Sequence, residues 1–298
     1  MKELGRLLTA MITPVDAVGN IDFIQARKLA KALMDSGSDG VVLAGTTGES
    51  PTFTNDEKVQ LFREVKKEIG NRGTIIAAVG NNDTADTVEL AKASLGTGID
   101  GFLVVVPYYN RPTQEGMFLH FKAVADISDL PVILYNVPGR TVANLEADTV
   151  IRLSQIKNIV GIKEASANYE QISRIMCGTG KDFLVWSGND GDTFPIIAMG
   201  GYGVISVTSH LVGKQIKQMI EFQLKGNSTE AAKIHHYHTQ LIKAMFIVAN
   251  PMPIKYALNY LGFKVGKPRL PLTEPDDKSK VFIESTLKAY KIDLPIEK

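Results

Sequence analysis

The chain is poor in cysteine, in net charge and in long apolar runs, and each shortage removes a class of reading. A single cysteine, Cys177, allows no internal disulfide and suits a reducing compartment, which points to the cytoplasm. It falls at the end of an apparent helix, before Gly178, and reads as a packing residue. Basic and acidic residues number 33 and 32, a net charge of +1. That gives no electrostatic case for nucleic acid or an anionic membrane. No apolar run exceeds about seven residues, far short of the ~20 that a membrane span needs. Near the N-terminus Glu3 interrupts Lys2 and Arg6, and Leu7 to Ile12 is too short for a secretory signal. A glycine-rich nucleotide turn is missing too, since Thr13-Pro14-Val15-Asp16 follows the first β-branched run.

What is present is a rhythm. Short, nearly continuous apolar runs recur at 7–13, 41–44, 74–79, 102–106, 132–137, 159–165, 183–187 and 204–208. Their starts lie roughly 20 to 35 residues apart, the length of a βα unit. Apolarity without alternation predicts strands buried on both faces, as in a parallel sheet. Segments of helical period fill the gaps, among them one opened by the capping box Thr54-Asn55-Asp56-Glu57 and stopped at Gly70. Eight strands each followed by a helix predict an α/β fold, a (β/α)8 barrel. After the eighth strand the pattern turns wholly helical. The expected division is a catalytic barrel over 1–225 and a C-terminal helical domain over 226–298, the latter without chemistry of its own.

The sixth run, Gly161-Ile162-Lys163-Glu164-Ala165-Ser166, carries a lysine on a core strand. An ammonium there loses water and must be paired or give up its proton. A neutral amine attacks carbonyls to form a Schiff base. The plainer alternative is a strand-end lysine that snorkels to solvent. The other strand ends decide between them, because the site of such a barrel gathers at the C-terminal ends of its strands. They read Gly45-Thr46-Thr47-Gly48-Glu49-Ser50, Pro107-Tyr108-Tyr109-Asn110-Arg111-Pro112, Tyr135-Asn136-Val137-Pro138-Gly139-Arg140 and Ser187-Gly188-Asn189-Asp190. Phenols can shuttle protons for an imine, and a threonine hydroxyl can relay between them. An N–H-rich turn suits one carboxylate and an arginine suits a second.

Together with Gly200–Val207 and Asn250-Pro251-Met252-Pro253-Ile254-Lys255, these motifs resemble the dihydrodipicolinate synthases, now called 4-hydroxy-tetrahydrodipicolinate synthases. That family lies in the pyruvate-dependent class I aldolase superfamily, beside N-acetylneuraminate lyase. The resemblance runs from Thr13-Pro14 to Lys255. It implies that Lys163 forms the Schiff base with pyruvate, with Tyr135 as general acid/base. Thr46 and Tyr109 would complete a proton relay, Tyr109 being lent across a dimer interface. Thr47 would hold the pyruvate carboxylate, Gly188 and Ile205 would line its pocket, and Arg140 would take the carboxylate of aspartate semialdehyde. It further implies a homotetramer built as a dimer of dimers, no cofactor and no metal. In lysine-inhibited relatives the effector binds at positions matching Pro51, Asn55, Lys58, Asn82, Asp86 and Tyr108. A histidine is typical where Lys58 stands, and an ammonium there would repel a cationic ligand. Weak or absent inhibition by lysine is therefore expected.

Two rival readings remain. A sister class I aldolase for a sialic or keto-sugar acid would share the lysine and tyrosine but typically lacks the arginine at 140. A catalytically idle barrel would have no need of Lys163, Tyr135, Thr46 and Tyr109 together. His235-His236-Tyr237-His238 invites a metal reading, but 235 and 238 share one helix face while 236 points away, and no partner ligand lies nearby in sequence. His210, just past the last strand, reads as packing, and Gly200-Gly201 as a helix stop.

Overall fold

A computed structural model describes residues 3–296. In chain order its elements are β1 Leu7–Ala10, α1 Phe23–Asp35, β2 Gly40–Leu43, α2 Asn55–Ile69, β3 Thr74–Ala78, α3 Thr84–Ser94, β4 Gly101–Val105 and α4 Gln114–Ala125. They continue with β5 Val132–Asn136, α5 Pro138–Thr141, α6 Ala147–Leu153, β6 Ile159–Glu164, α7 Tyr169–Gly178, β7 Leu184–Ser187, α8 Thr193–Ala198 and β8 Gly203–Ser206. Four helices close the chain: α9 Ser209–Leu224, α10 Ser228–Met245, α11 Met252–Tyr260 and α12 Asp277–Leu287. The strands pair in sequence order, all parallel, and β8 returns to β1, so the sheet closes into the expected (β/α)8 barrel. The apolar runs extend past the strands, because the same residues continue into the strand-end turns.

Strand alternation sorts the core into two layers. Leu8, Val42, Ile76, Leu103, Ile133, Tyr135, Trp186 and Ile205 meet inside the barrel. Leu7, Val41, Leu43, Ile75, Phe102, Leu134 and Ile162 pack outward against the helices. Trp186 fills the interior, and its indole N–H donates to the Gly5 carbonyl at 3.1 Å. Gly161 makes room for it: a Cβ there would lie 2.2 Å from the Leu184 carbonyl oxygen and 2.8 Å from the Trp186 ring. A larger residue at 161 would force β6 and β7 apart.

Capping proceeds as the sequence indicates at α2, where Thr54 accepts from the Glu57 amide and the Glu57 carboxylate accepts from the Thr54 amide. Gly200, at φ +106, ends α8. His210 is packed, fully buried, as expected. His238 is also buried, and His235 stacks on Phe194 at 5.6 Å. One expectation fails. Cys177 is exposed, because the apolar face of α7 is formed by Ile172 and Ile175 and residue 177 falls outside it. Among the described residues no helix is long and apolar enough to cross a membrane.

Candidate active site

Parity along two adjacent strands sets the centre of the site. In the β5–β6 register Tyr135 faces Lys163 and Asn136 faces Glu164. Successive residues point to opposite faces, so the first pair enters the barrel and the second enters the layer beneath the helices. Lys163 is 6% exposed and its Nζ lies 4.2 Å from the centre of the Tyr135 ring. Among the described residues no carboxylate lies within ion-pair distance of it. Behind the strands, Glu164 is held only by donors: both Asn136 Nδ2 contacts at 3.1 Å, the Ser166 amide at 2.7 Å and Gln171 Nε2 at 3.2 Å. Burial pushes the Glu164 carboxyl above its ordinary range, and those hydrogen bonds pull back. The knot extends to Asn144, which accepts from Asn136 at 2.9 Å and donates to Gln171 at 2.8 Å. It ties β5 to β6 in the register that brings Tyr135 opposite Lys163.

Above them opens a cavity of about 520 Å³. Thr46, Tyr135 and Arg140 line it, as do Pro51, Asn55, Lys58, Asp86 and Tyr108. Lys163 adjoins it through the Tyr135 ring. The turn after β2 is sharp, with Ala44 and Glu49 at φ +52 and +58. Thr13 Oγ1 donates to the Gly48 carbonyl at 2.9 Å and fixes it from below. Thr47 stands beside the cavity lining, next to Thr46. Thr47 is buried and its Oγ1 accepts from Asn250 Nδ2 at 2.9 Å. Gly188 lies tight against β6, its amide donating to the Glu164 carbonyl at 2.7 Å. Ile205 is in the barrel interior.

Tyr109 does not enter the cavity of its own chain. Its ring is 87% exposed, on a loop with Tyr109 at φ +74 and Arg111 at φ +50. A bulky side chain at positive φ is strained, and such strain concentrates at functional positions.

The expected effector residues come together with one exception. Asp86 accepts from Asn55 Nδ2 at 2.8 Å and from Asn81 Nδ2, and Asn81 joins the lining. Asn82 stands apart, its carbonyl accepting from Asn110 at 2.8 Å. Burial pushes the Lys58 ammonium below its ordinary range, opposed by Asp86 and Glu57, and pushes the Tyr108 phenol up.

Sequence reasoning missed what the helical C-terminal region adds. Lys255 on α11 is fully buried and pairs with Glu49 at 2.6 Å, also donating to the Lys267 carbonyl at 3.1 Å. The second Glu49 oxygen accepts from the Arg269 amide at 2.7 Å. Asn250 reaches both Thr47 and Arg140. A signal existed: Lys255 sits among Ile254, Ala257 and Leu258, where a charge needs a buried partner.

The fold and the cavity define an enzyme of the (β/α)8 class with a buried lysine on its sixth strand. The chain belongs to the dihydrodipicolinate synthetase family, whose model matches residues 3–290. It is 57% identical to a 4-hydroxy-tetrahydrodipicolinate synthase of Dehalococcoides mccartyi over the whole of both chains. A synthase of the same name from Moorella thermoacetica is 49% identical over 96% of this chain and 98% of its own. Among solved structures, dihydrodipicolinate synthase from Bacillus anthracis superposes with a TM-score of 0.95 at 42% identity, covering 98% of this chain and all of that one. The lysine-bound enzyme from Cyanidioschyzon merolae also gives 0.95, at 44% identity over 96% of this chain and 98% of its own.

Proposed function

We propose that this enzyme joins pyruvate to L-aspartate 4-semialdehyde and so makes 4-hydroxy-tetrahydrodipicolinate, on the route to diaminopimelate and lysine. Full-length relatives at 57% identity are named for that product. Lys163 Nζ adds to the pyruvate keto carbon, and loss of water leaves an iminium. Tyr135 handles the protons of that step, its ring already against the amine. A proton leaves the pyruvate methyl to give an enamine, whose carbon attacks the aldehyde carbon of the acceptor. The acceptor amine then displaces Lys163 and closes the ring. Thr47 holds the pyruvate carboxylate, Gly188 and Ile205 shape the floor, and Arg140, at the cavity wall, takes the acceptor carboxylate.

The observation that carries this reading is a buried lysine without an acidic partner, held in register beside a phenol. Arg140 on the cavity wall favours the two-carboxylate reaction over a sister aldolase. Thr46 and Tyr109 form the relay with Tyr135, and the outward Tyr109 is supplied by a neighbouring subunit. A homotetramer of two such dimers in the cytoplasm accommodates this. The chain divides into a catalytic barrel over 1–225 and a helical domain over 226–298. The wall bearing Lys58 gives weak or no response to lysine, and half-inhibition below a millimolar concentration would contradict that.

Borohydride reduction with pyruvate, followed by intact-mass spectrometry, tests the centre. One pyruvyl adduct is expected on the wild type and none on Lys163→Ala. An unmodified wild type would sink the mechanism. A coupled assay with aspartate semialdehyde then separates the synthase from a sister aldolase.

A further inference from the structure

Asn250, between α10 and α11, touches two strand-end groups at once. Its Nδ2 donates to Thr47 Oγ1 at 2.9 Å, and its main-chain carbonyl accepts from Arg140 Nη2 at 3.3 Å. The residue is buried, and its Oδ1 has no partner among the described residues. A buried unpaired acceptor costs free energy, so the site holds Asn250 in place through its donor side.

The direction of the hydrogen bonds gives the arrangement a use. Because Asn250 Nδ2 is a donor, Thr47 Oγ1 accepts, and its own hydrogen is left free to turn to another acceptor. Arg140 spends one N–H on the Asn250 carbonyl, which orients its plane and leaves the remaining N–H groups for a carboxylate. The segment cannot drift, because Lys255 on α11 is tied to Glu49, two residues past Thr47.

Resting on the roles given above to Thr47 and Arg140, we propose that Asn250 is a positioning residue for the carboxylates of both substrates. It aims the Thr47 hydroxyl at the keto acid and sets the distance from that hydroxyl to Arg140. The helical C-terminal region therefore takes part in substrate selection.

Asn250→Ala and Asn250→Asp in the full chain test this. Steady-state KM and kcat are measured for pyruvate and aspartate semialdehyde, with thermal melting alongside. Asn250→Ala should raise the pyruvate KM about tenfold, the acceptor KM less, and leave kcat within about threefold, the pattern of a lost ground-state contact. Asn250→Asp matches the native shape but would take the Thr47 hydrogen for itself and add a negative charge. It should raise the pyruvate KM further than Ala does. A purely structural residue would give the opposite order, and that order would overturn the proposal. So would a pyruvate KM within about twofold of wild type in both variants. If Asn250→Asp does not fold, Asn250→Leu, which removes the donor without adding charge, should match Ala; a wild-type KM there refutes the idea. Borohydride trapping on wild type separates the two layers. Failure to trap sinks the reading of the site, whereas normal trapping with unchanged KM values in the variants sinks only the role of Asn250.

Discussion

Lys163 on β6 and Lys255 on α11 are both buried lysines, 6% and 0% exposed, yet their surroundings differ in kind. Lys255 spends its donors on the Glu49 carboxylate and the Lys267 carbonyl. Lys163 has the face of Tyr135 and no acidic partner among the described residues. A lysine kept for the fold is paired, as Lys255 is. A lysine left without a partner beside a cavity is free to bond to something that enters it. Burial alone therefore does not single out a lysine as a candidate for catalysis, and the identity of its neighbours separates these two.

The largest expected effect breaks the comparison on the side of chemistry. Lys163→Ala should lower the rate of the coupled reaction by at least about a thousandfold, since the proposed mechanism forms its imine on that amine. Its melting temperature should stay within ~2 °C of wild type, because no ion pair is broken. A loss of activity that merely follows a lower melting temperature would make Lys163 a second structural lysine.

Lys255→Met acts on the other side. Stranding the Glu49 carboxylate without its partner should cost about 3–5 kcal/mol in urea unfolding, as for other buried pairs broken at one end. Adding Glu49→Gln removes the stranded charge and should recover much of that loss. The double variant should keep its imine chemistry, with borohydride trapping of pyruvate intact. If Lys255→Met were as stable as wild type but inactive, the assignment of roles to the two lysines would be reversed.

The sequence carried more of the barrel than of the site's supports. Eight apolar runs at βα spacing, the capping box at Thr54 and the strand-end motifs are local signals, readable from neighbours in the chain. Lys163 and Tyr135 were legible because each lies one residue before the end of a strand, and the parity that points them inward follows from the pleat. Ties between distant segments were not legible. Glu49 meets Lys255 across 206 residues, and Thr47 meets Asn250 across 203. No periodicity encodes such a pairing. Cys177 was misread for a related reason: a position near a helix end does not say which face it falls on. The single-chain cavity also could not be read from motifs, since it joins Thr46, Tyr135 and Arg140 with the Lys58 wall in one space.

The same rule about partners extends to imidazole, with a smaller expected effect. His210 is fully buried, its Nδ1–H donating to the Val207 carbonyl at 2.8 Å and its Nε2 accepting from the Ile12 amide at 3.2 Å. Protonation at Nε2 would set two donors against each other. Burial accordingly holds this imidazole down to about 4, and burial likewise holds His120 down to about 4. The folded value lies below the unfolded value near 6.5, so between the two the unfolded chain binds more protons. The stability contributed by neutral His210 is thus complete above about pH 6.5 and is lost as pH falls toward 4. Acidification from pH 7 to pH 5 should cost ~2 kcal/mol from this residue. Urea unfolding at the two pH values checks it, and His210→Asn, which has no proton to gain there, should flatten part of the slope. An equal slope in that variant would mean that His210 is not held neutral by the fold and that the acid sensitivity arises elsewhere.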